Sequence, residues 1–264
     1  SKVTFPPPYG DAEADEAALR ATEWAQPAIG ALSKGMLDLL AAFGLRPDAV
    51  AGHSYGELVA LYAAGVYDEE ALFTASRVRG EAMGAGDHDR GTMAAVSGPL
   101  DQIQRVIARV PGVVLANRNH PEQGVISGSR TAIDQAVKAL EAAGLAAKPI
   151  SVSAAFHSEL VADAVVPYGK ALGALSFAKP RIPVYACATA QPYPSDGNLA
   201  RRMLSEQIAQ PVDWVGIVQN LAASGVRTFV EVGPKGVLST LVRKTLGNRT
   251  DIAVVAMDRH RHRV

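Results

Sequence analysis

Residues 50–58 read Val50-Ala51-Gly52-His53-Ser54-Tyr55-Gly56-Glu57-Leu58, and the fold turns on what this stretch does. Pro47 and Asp48 lead into a short apolar run, 49–51, and residues 57–64 carry helical periodicity with no breaker before Gly65. Ser54 therefore stands on a sharp strand-to-helix turn. Such an elbow needs small residues two before and two after the serine, because strand and helix backbones come close there. Gly52 and Gly56 occupy both places. The geometry lifts the hydroxyl above a sheet at a helix N-terminus, where backbone N–H groups and the helix dipole stabilise an oxyanion. Gly-x-Ser-x-Gly also arises as a plain glycine-rich turn, so at this point a nucleophile and a bland turn both stand open.

The 264 residues are 48% hydrophobic with 24 glycines, enough for one large core or a core with an inserted module. Lysine plus arginine equal aspartate plus glutamate at 26 each, so the chain as a whole is not steered toward nucleic acid or an anionic membrane. Only the tail 259–263 is basic. The single cysteine, Cys187, sits in an apolar run, 184–188, and reads as a core thiol. No run approaches a spanning helix, and the first residues resemble neither a signal nor a transit peptide, which makes the cytoplasm the default location. The opening 1–8, with Pro6-Pro7-Pro8, reads as connecting chain, and the sequence as a fragment of something longer.

Taken in order, residues 11–43 predict two helices broken at Pro27 and Gly30, the second running 27–43 and ending at Gly44. A further helix, capped by Asp68, carries Arg77 and Arg79 to about Met83. After a loop at 84–91 the style changes. Strand 92–96, helix 100–108, strands 113–117 and 124–127, helix 131–143 and strand 147–152 give a ferredoxin-like order, inserted into a larger α/β unit. Helix 160–172, strand 184–188, helices 199–208 and 215–223, strand 228–232, a short helix after Gly236 and strand 252–256 complete that unit. The expected organisation is an α/β-hydrolase-like large subdomain, 1–90 and 152–264, with a ferredoxin-like small subdomain, 91–151.

A nucleophilic serine needs a base in reach and something to hold the base's second nitrogen. His53 adjoins the serine, but its side chain points away from the elbow and suits support better. His88 lies in a Gly/Asp loop, His120 in a turn before Pro121, and His260 and His262 in the basic tail. His157 follows the strand that closes the inserted module and would overlook a cleft between modules, though a histidine beside Phe156 is also a common packed residue.

The motifs in sequence decide between these. Gly52-His53-Ser54-Tyr55-Gly56-Glu57 resembles the active-serine motif of the malonyl-CoA:acyl-carrier-protein transacylases and of the acyltransferase domains of polyketide and fatty acid synthases. Arg77-Val78-Arg79-Gly80-Glu81-Ala82-Met83 resembles that family's arginine motif. Leu115-Ala116-Asn117-Arg118-Asn119-His120-Pro121-Glu122-Gln123 resembles its asparagine-rich strand and turn, and Ala155-Phe156-His157-Ser158 its histidine motif. Glu206-Gln207-Ile208, Pro211-Val212-Asp213-Trp214 and Glu231-Val232-Gly233-Pro234 complete the series. Tyr55, the run Val152-Ser153-Ala154-Ala155-Phe156-His157 and the lead-in Phe5-Pro6-Pro7-Pro8 look like the acyltransferase domains of iterative enediyne polyketide synthases, the dynemicin synthase among them.

The resemblance implies ping-pong transfer of malonyl from malonyl-CoA, through an acyl-Ser54, to the phosphopantetheine thiol of an acyl carrier protein, within a synthase that also holds a ketosynthase domain. It implies no bound cofactor and no metal. His157 would be the base, the Gln207 backbone carbonyl would hold its second nitrogen, and the Tyr55 N–H would face the oxyanion. Arg79 would clamp the malonyl carboxylate, with Arg77 left on the surface, and Phe156 would wall the pocket in the manner of malonyl-selective relatives. His53 and Asn117 complete the implied substrate-binding set. Two positions depart from the family. Ala154 stands where histidine is common, and the opening strand with its Gly-Gln-Gly-Ser-Gln loop, which supplies the second oxyanion N–H, has no counterpart here. Two rivals remain: a serine hydrolase using Ser54 with Asp258 and His260, and a docking module without activity.

Overall fold

The elbow is built as a two-residue strand, β1 (Val50–Ala51), feeding helix α2 (Gly56–Ala63). A Cβ on Gly52 would lie 1.9 Å from the Gly56 carbonyl carbon, so the turn closes only around a glycine. This is a computed structural model that describes residues 11, 14, 19, 21–84 and 89–258. The lead-in 1–8, most of the first expected helix, His88 and the basic tail with His260 and His262 lie outside the described residues.

Helix α1 (Thr22–Ala42) precedes the elbow and runs unbroken through Pro27 and Gly30, against the expected break. Pro27 lies early in the helix, where it removes one ladder bond, and packing on α3 (Glu69–Gly84) holds the remainder. Gly30 is a point of contact: a Cβ there would sit 2.1 Å from the Tyr55 hydroxyl. The helix ends as expected, with Gly44 at φ +83°. Gly65, at φ +74°, follows α2, and Asp68 Oδ1 accepts the Ala71 N–H at 2.9 Å to start α3.

Strands β2 (Thr92–Ser97), β3 (Val113–His120), β4 (Gln123–Gly128) and β5 (Ala146–Ile150), with helices α4 (Leu100–Ile107) and α5 (Arg130–Ala142), follow the expected order. The sheet runs β5-β2-β4-β3, antiparallel throughout. One face carries Ala94, Val96, Leu115 and Ile126 against Ile103, Ile133 and Leu140 of the two helices. The other face presents Met93, Ala116 and Val125 to Phe156, which also packs on the core around α2.

The later chain holds the expected elements at different lengths. The helix expected at 160–172 begins as a 3₁₀ segment, Glu159–Ala164, before α6 (Val165–Leu172). β6 stops at Val184–Tyr185, short of the expected 188. Helices α7 (Gly197–Glu206), α8 (Trp214–Ala223) and α9 (Val237–Leu246) and strands β8 (Thr228–Glu231) and β9 (Ala253–Ala256) follow. An unforeseen strand, β7 (Val212–Asp213), joins the sheet of β2–β5 by pairing parallel with β3 at Asn117 and Arg118, which ties the two parts together. β1 pairs parallel with β6, and β8 parallel with β9, as two separate sheets. None of the described helices is long and apolar enough to cross a membrane.

α1 and α3 touch so closely that a Cβ on Gly80 would lie 2.6 Å from the Thr22 carbonyl oxygen and the Glu23 Cα. Glycine to alanine in an exposed helix normally stabilises by about 1 kcal/mol. At this contact Gly80→Ala is expected to destabilise by ~1–3 kcal/mol through overpacking, read from the denaturant midpoint. A neutral or stabilising result would show that the helices are free to separate.

Candidate active site

Ser54 takes φ +52° and His157 φ +59°, two non-glycine residues in the left-handed region. Such conformations cost on the order of 1–3 kcal/mol and persist where surrounding contacts over-determine them. At Ser54 the contacts are the start of α2, where Gly56 N–H reaches the His53 carbonyl at 3.0 Å, and Gln207 Nε2, which donates to the Ser54 carbonyl at 2.9 Å. At His157 they are its own N–H on the Ile208 carbonyl at 3.1 Å and the Ala155 N–H on the Arg90 carbonyl at 2.7 Å.

These turns bring Ser54 Oγ and His157 Nε2 to 2.8 Å. His157 Nδ1 lies 2.9 Å from the Gln210 carbonyl and 3.3 Å from that of Gln207. The resemblance pointed to Gln207 alone; the nearer acceptor is Gln210, because the 3₁₀ turn Gln207–Ala209 aims two carbonyls at the ring. Carbonyls accept only, so Nδ1 carries the proton and Nε2 is left to accept one from Ser54. Burial, reinforced by the charge of Arg79 and by His53, lowers the His157 pKa to about 3, which keeps the imidazole neutral, with Nε2 free to accept a proton.

Arg79 is 1% exposed. One guanidinium nitrogen donates to Gln26 Oε1 at 2.9 Å. The other donates to Gln207 Oε1 at 3.0 Å and to Ser54 Oγ at 3.3 Å. Nε is buried without a partner, and among the described residues no carboxylate pairs with the group. Burial pulls its pKa down. Arg77, by contrast, bonds Glu81 at 2.6 Å on the surface, as expected.

The remaining expected residues lie around this centre. His53 Nε2 and Asn119 Oδ1 are 2.9 Å apart, and the His53 ring stands 5.9 Å from that of Trp214, so His53 links the elbow to β3. Asn117 is buried in β3, in register with Val125 and Val212, and is not bonded to Ser54 or His157. The Tyr55 N–H makes no hydrogen bond among the described residues, while its hydroxyl and Ser76 Oγ are 2.8 Å apart. Ser76 spends its proton on the Leu72 carbonyl, so Tyr55 is the donor. His120 Nδ1 accepts the Glu122 N–H at 3.2 Å and stays out of the site. Asp258, the acid of the hydrolase alternative, accepts the Lys235 N–H.

Beneath the elbow, Glu57 accepts the Cys187 N–H at 2.7 Å and the Tyr193 hydroxyl, and the Cys187 thiol donates to the Gly52 carbonyl at 3.0 Å. Burial raises both the Glu57 carboxyl and the Cys187 thiol. Gln26, Gln210, Asn119 and this Glu57 network were missed from sequence. Nothing local marks them, because each acts through a partner at least 50 residues away.

The profile of the acyl transferase domain family matches residues 12–261. A component of a polyunsaturated fatty acid synthase from Thraustochytrium sp. is 34% identical over 98% of this chain, which spans 9% of that protein. A malonyl CoA-acyl carrier protein transacylase from Synechocystis sp. is 35% identical over 88% of this chain and 78% of its own length. The crystal structure of the acyltransferase domain of an iterative polyketide synthase in enediyne biosynthesis superposes with a TM-score of 0.81 at 32% identity, covering 90% of this chain and 61% of that one.

The depressed His157 pKa has a consequence for stability. The unfolded ring protonates near 6.5 and the folded ring only near 3, so between these values the unfolded state binds the extra proton. The stability contributed is whole above pH 6.5 and is lost as pH falls toward 3. Denaturant midpoints should therefore decline through this window, with a shallower decline in His157→Gln; an unchanged slope would show that the ring titrates normally.

Proposed function

The chain belongs to the acyl transferase domain family, and from that premise we propose that it moves a malonyl group from malonyl-CoA to the phosphopantetheine thiol of an acyl carrier protein, as the acyltransferase domain of an iterative type I enediyne polyketide synthase. The observation that carries this reading is Arg79, a buried cation without a carboxylate, 3.3 Å from the Ser54 hydroxyl. An uncompensated buried charge is costly, and an anionic substrate relieves that cost. A plain esterase has no use for it.

In the first half-reaction His157 Nε2 takes the Ser54 proton as Oγ attacks the thioester carbonyl. The Tyr55 N–H at the start of α2 faces the developing oxyanion. The tetrahedral intermediate collapses with loss of the CoA sulfur, which takes the proton back from the imidazolium. The carrier thiol then gives its proton to His157 and attacks the acyl-serine, and Ser54 leaves reprotonated. The Gln210 and Gln207 carbonyls hold Nδ1–H through both halves. Arg79 binds the free carboxylate with charge-assisted hydrogen bonds. His53 and Asn117 support the pocket from the elbow and β3.

We assign 1–90 and 152–264 to a hydrolase-like large subdomain and 91–151 to a ferredoxin-like small one, with the acyl carrier protein and a neighbouring ketosynthase domain as partners. Phe156, packed between the two cores, crowds the α-carbon of the substrate. Incubation with malonyl-CoA should give a malonyl adduct on Ser54 by intact mass and peptide mapping, absent in Ser54→Ala. Methylmalonyl loading should be slower by about 10–200-fold, the range a single methyl provides. Lack of any Ser54 adduct would refute the transferase reading, and equal loading of both acyl groups would remove Phe156 from selectivity.

A further inference from the structure

His120 ends β3 and is 6% exposed. Its Nδ1 accepts the Glu122 N–H, and a ring nitrogen that accepts carries no proton, so the neutral imidazole keeps its hydrogen on Nε2. That nitrogen lies 3.5 Å from Lys244 Nζ, in the last turn of α9. An ammonium group only donates. Two donors therefore face each other with no acceptor between them. Burial and the Lys244 charge both lower the His120 pKa, so the ring stays neutral and the mismatch stands.

Among the described residues neither donor finds an acceptor elsewhere, and Lys244 enters no ion pair. The other cations nearby are engaged: Arg118 with Asp213 at 3.4 Å, Arg249 with Asp251, and Arg243 with the Val254 carbonyl at 2.6 Å. Lys244 lines a surface cavity of about 500 Å³ with Arg243, Asn248 and Arg249, so there is room for a ligand beside the free ammonium group. A water accepts from both donors; an anion also answers the charge. The pair stands on the wall that carries the nucleophile. His53, next to Ser54, bonds Asn119, and Asn119 precedes His120 in β3.

We propose that His120 Nε2–H and Lys244 Nζ form an anion site, and that it takes the phosphate ester at the far end of a pantetheine arm, the group that malonyl-CoA and the carrier protein share. The arm itself is uncharged between thiol and phosphate, so this ester is the part of it that a free cation can recognise. The anion site rests on the facing donors, and the choice of ligand rests on the transfer reading above. Lying away from the reacting atoms, the site holds ground state and transition state alike and acts on KM more than on kcat.

Calorimetry on the 264-residue chain compares pantetheine, phosphopantetheine and CoA, in the parent and in Lys244→Ala, a change at an exposed position. The phosphate is expected to strengthen binding of phosphopantetheine over pantetheine by about tenfold or more, the worth of a charge-assisted hydrogen bond. In Lys244→Ala that advantage disappears for phosphopantetheine and CoA alike, while pantetheine binds as before. With nitrogen-labelled histidine, phosphopantetheine shifts the His120 Nε2–H resonance and pantetheine leaves it in place. No advantage from the phosphate, an advantage that survives Lys244→Ala, or an unmoved His120 resonance would overturn the proposal. So would an advantage lost for CoA alone, which would assign the pair to the nucleotide's outer phosphates. None of these measurements needs acyl transfer: Ser54 that acylates while the phosphate goes unrecognised sinks this site alone, and a phosphate bound while Ser54 stays unacylated sinks the transfer reading alone.

Discussion

A guanidinium buried without a carboxylate in salt-bridge reach is the constraint on which the site depends. Arg79 draws Gln26 from α1, Gln207 from the turn after α7 and Ser54 from the elbow onto one group. All three are neutral, so they satisfy its hydrogen bonds without cancelling its charge. The same charge helps to hold His157 neutral. Arg79 thus contributes both to substrate selection and to keeping the base unprotonated, and a residue that neutralised it would remove the first and raise the His157 pKa.

The backbone supplies what this arrangement needs in rigidity. Ser54 and His157 are both left-handed, and each is fastened by bonds to the turn that follows α7. Gln207 is central: its side chain reaches Arg79 and the Ser54 carbonyl, while its carbonyl shares the His157 ring with Gln210. A glutamine inside an amphipathic stretch looks like a solvated residue, yet here it joins nucleophile, base and cation.

What could be read from sequence follows from this division. The elbow was legible because its closure demands a glycine at 52, although a Cβ at Gly56, the other small position expected, would meet open space, and the cap at Asp68 was legible because an N-cap is local. The order of β2 to β5 was legible from short alternating runs bounded by turns. The continuity of α1 was not, because Gly30 serves Tyr55 across space and only resembles a helix breaker. β7 escaped because two residues carry no period, and Gln26, Asn119 and Gln210 because their partners are distant in sequence.

The central claim is that the Arg79 charge selects an acyl group bearing a carboxylate. The direct measurement is the rate of Ser54 acylation by malonyl-CoA and by acetyl-CoA, in the parent chain and in Arg79→Ala. The account predicts that malonyl loading falls by about 100-fold or more, the worth of a buried charge-assisted pair, while acetyl loading changes little. Equal losses for both acyl groups would contradict it and reduce Arg79 to a structural support for the elbow.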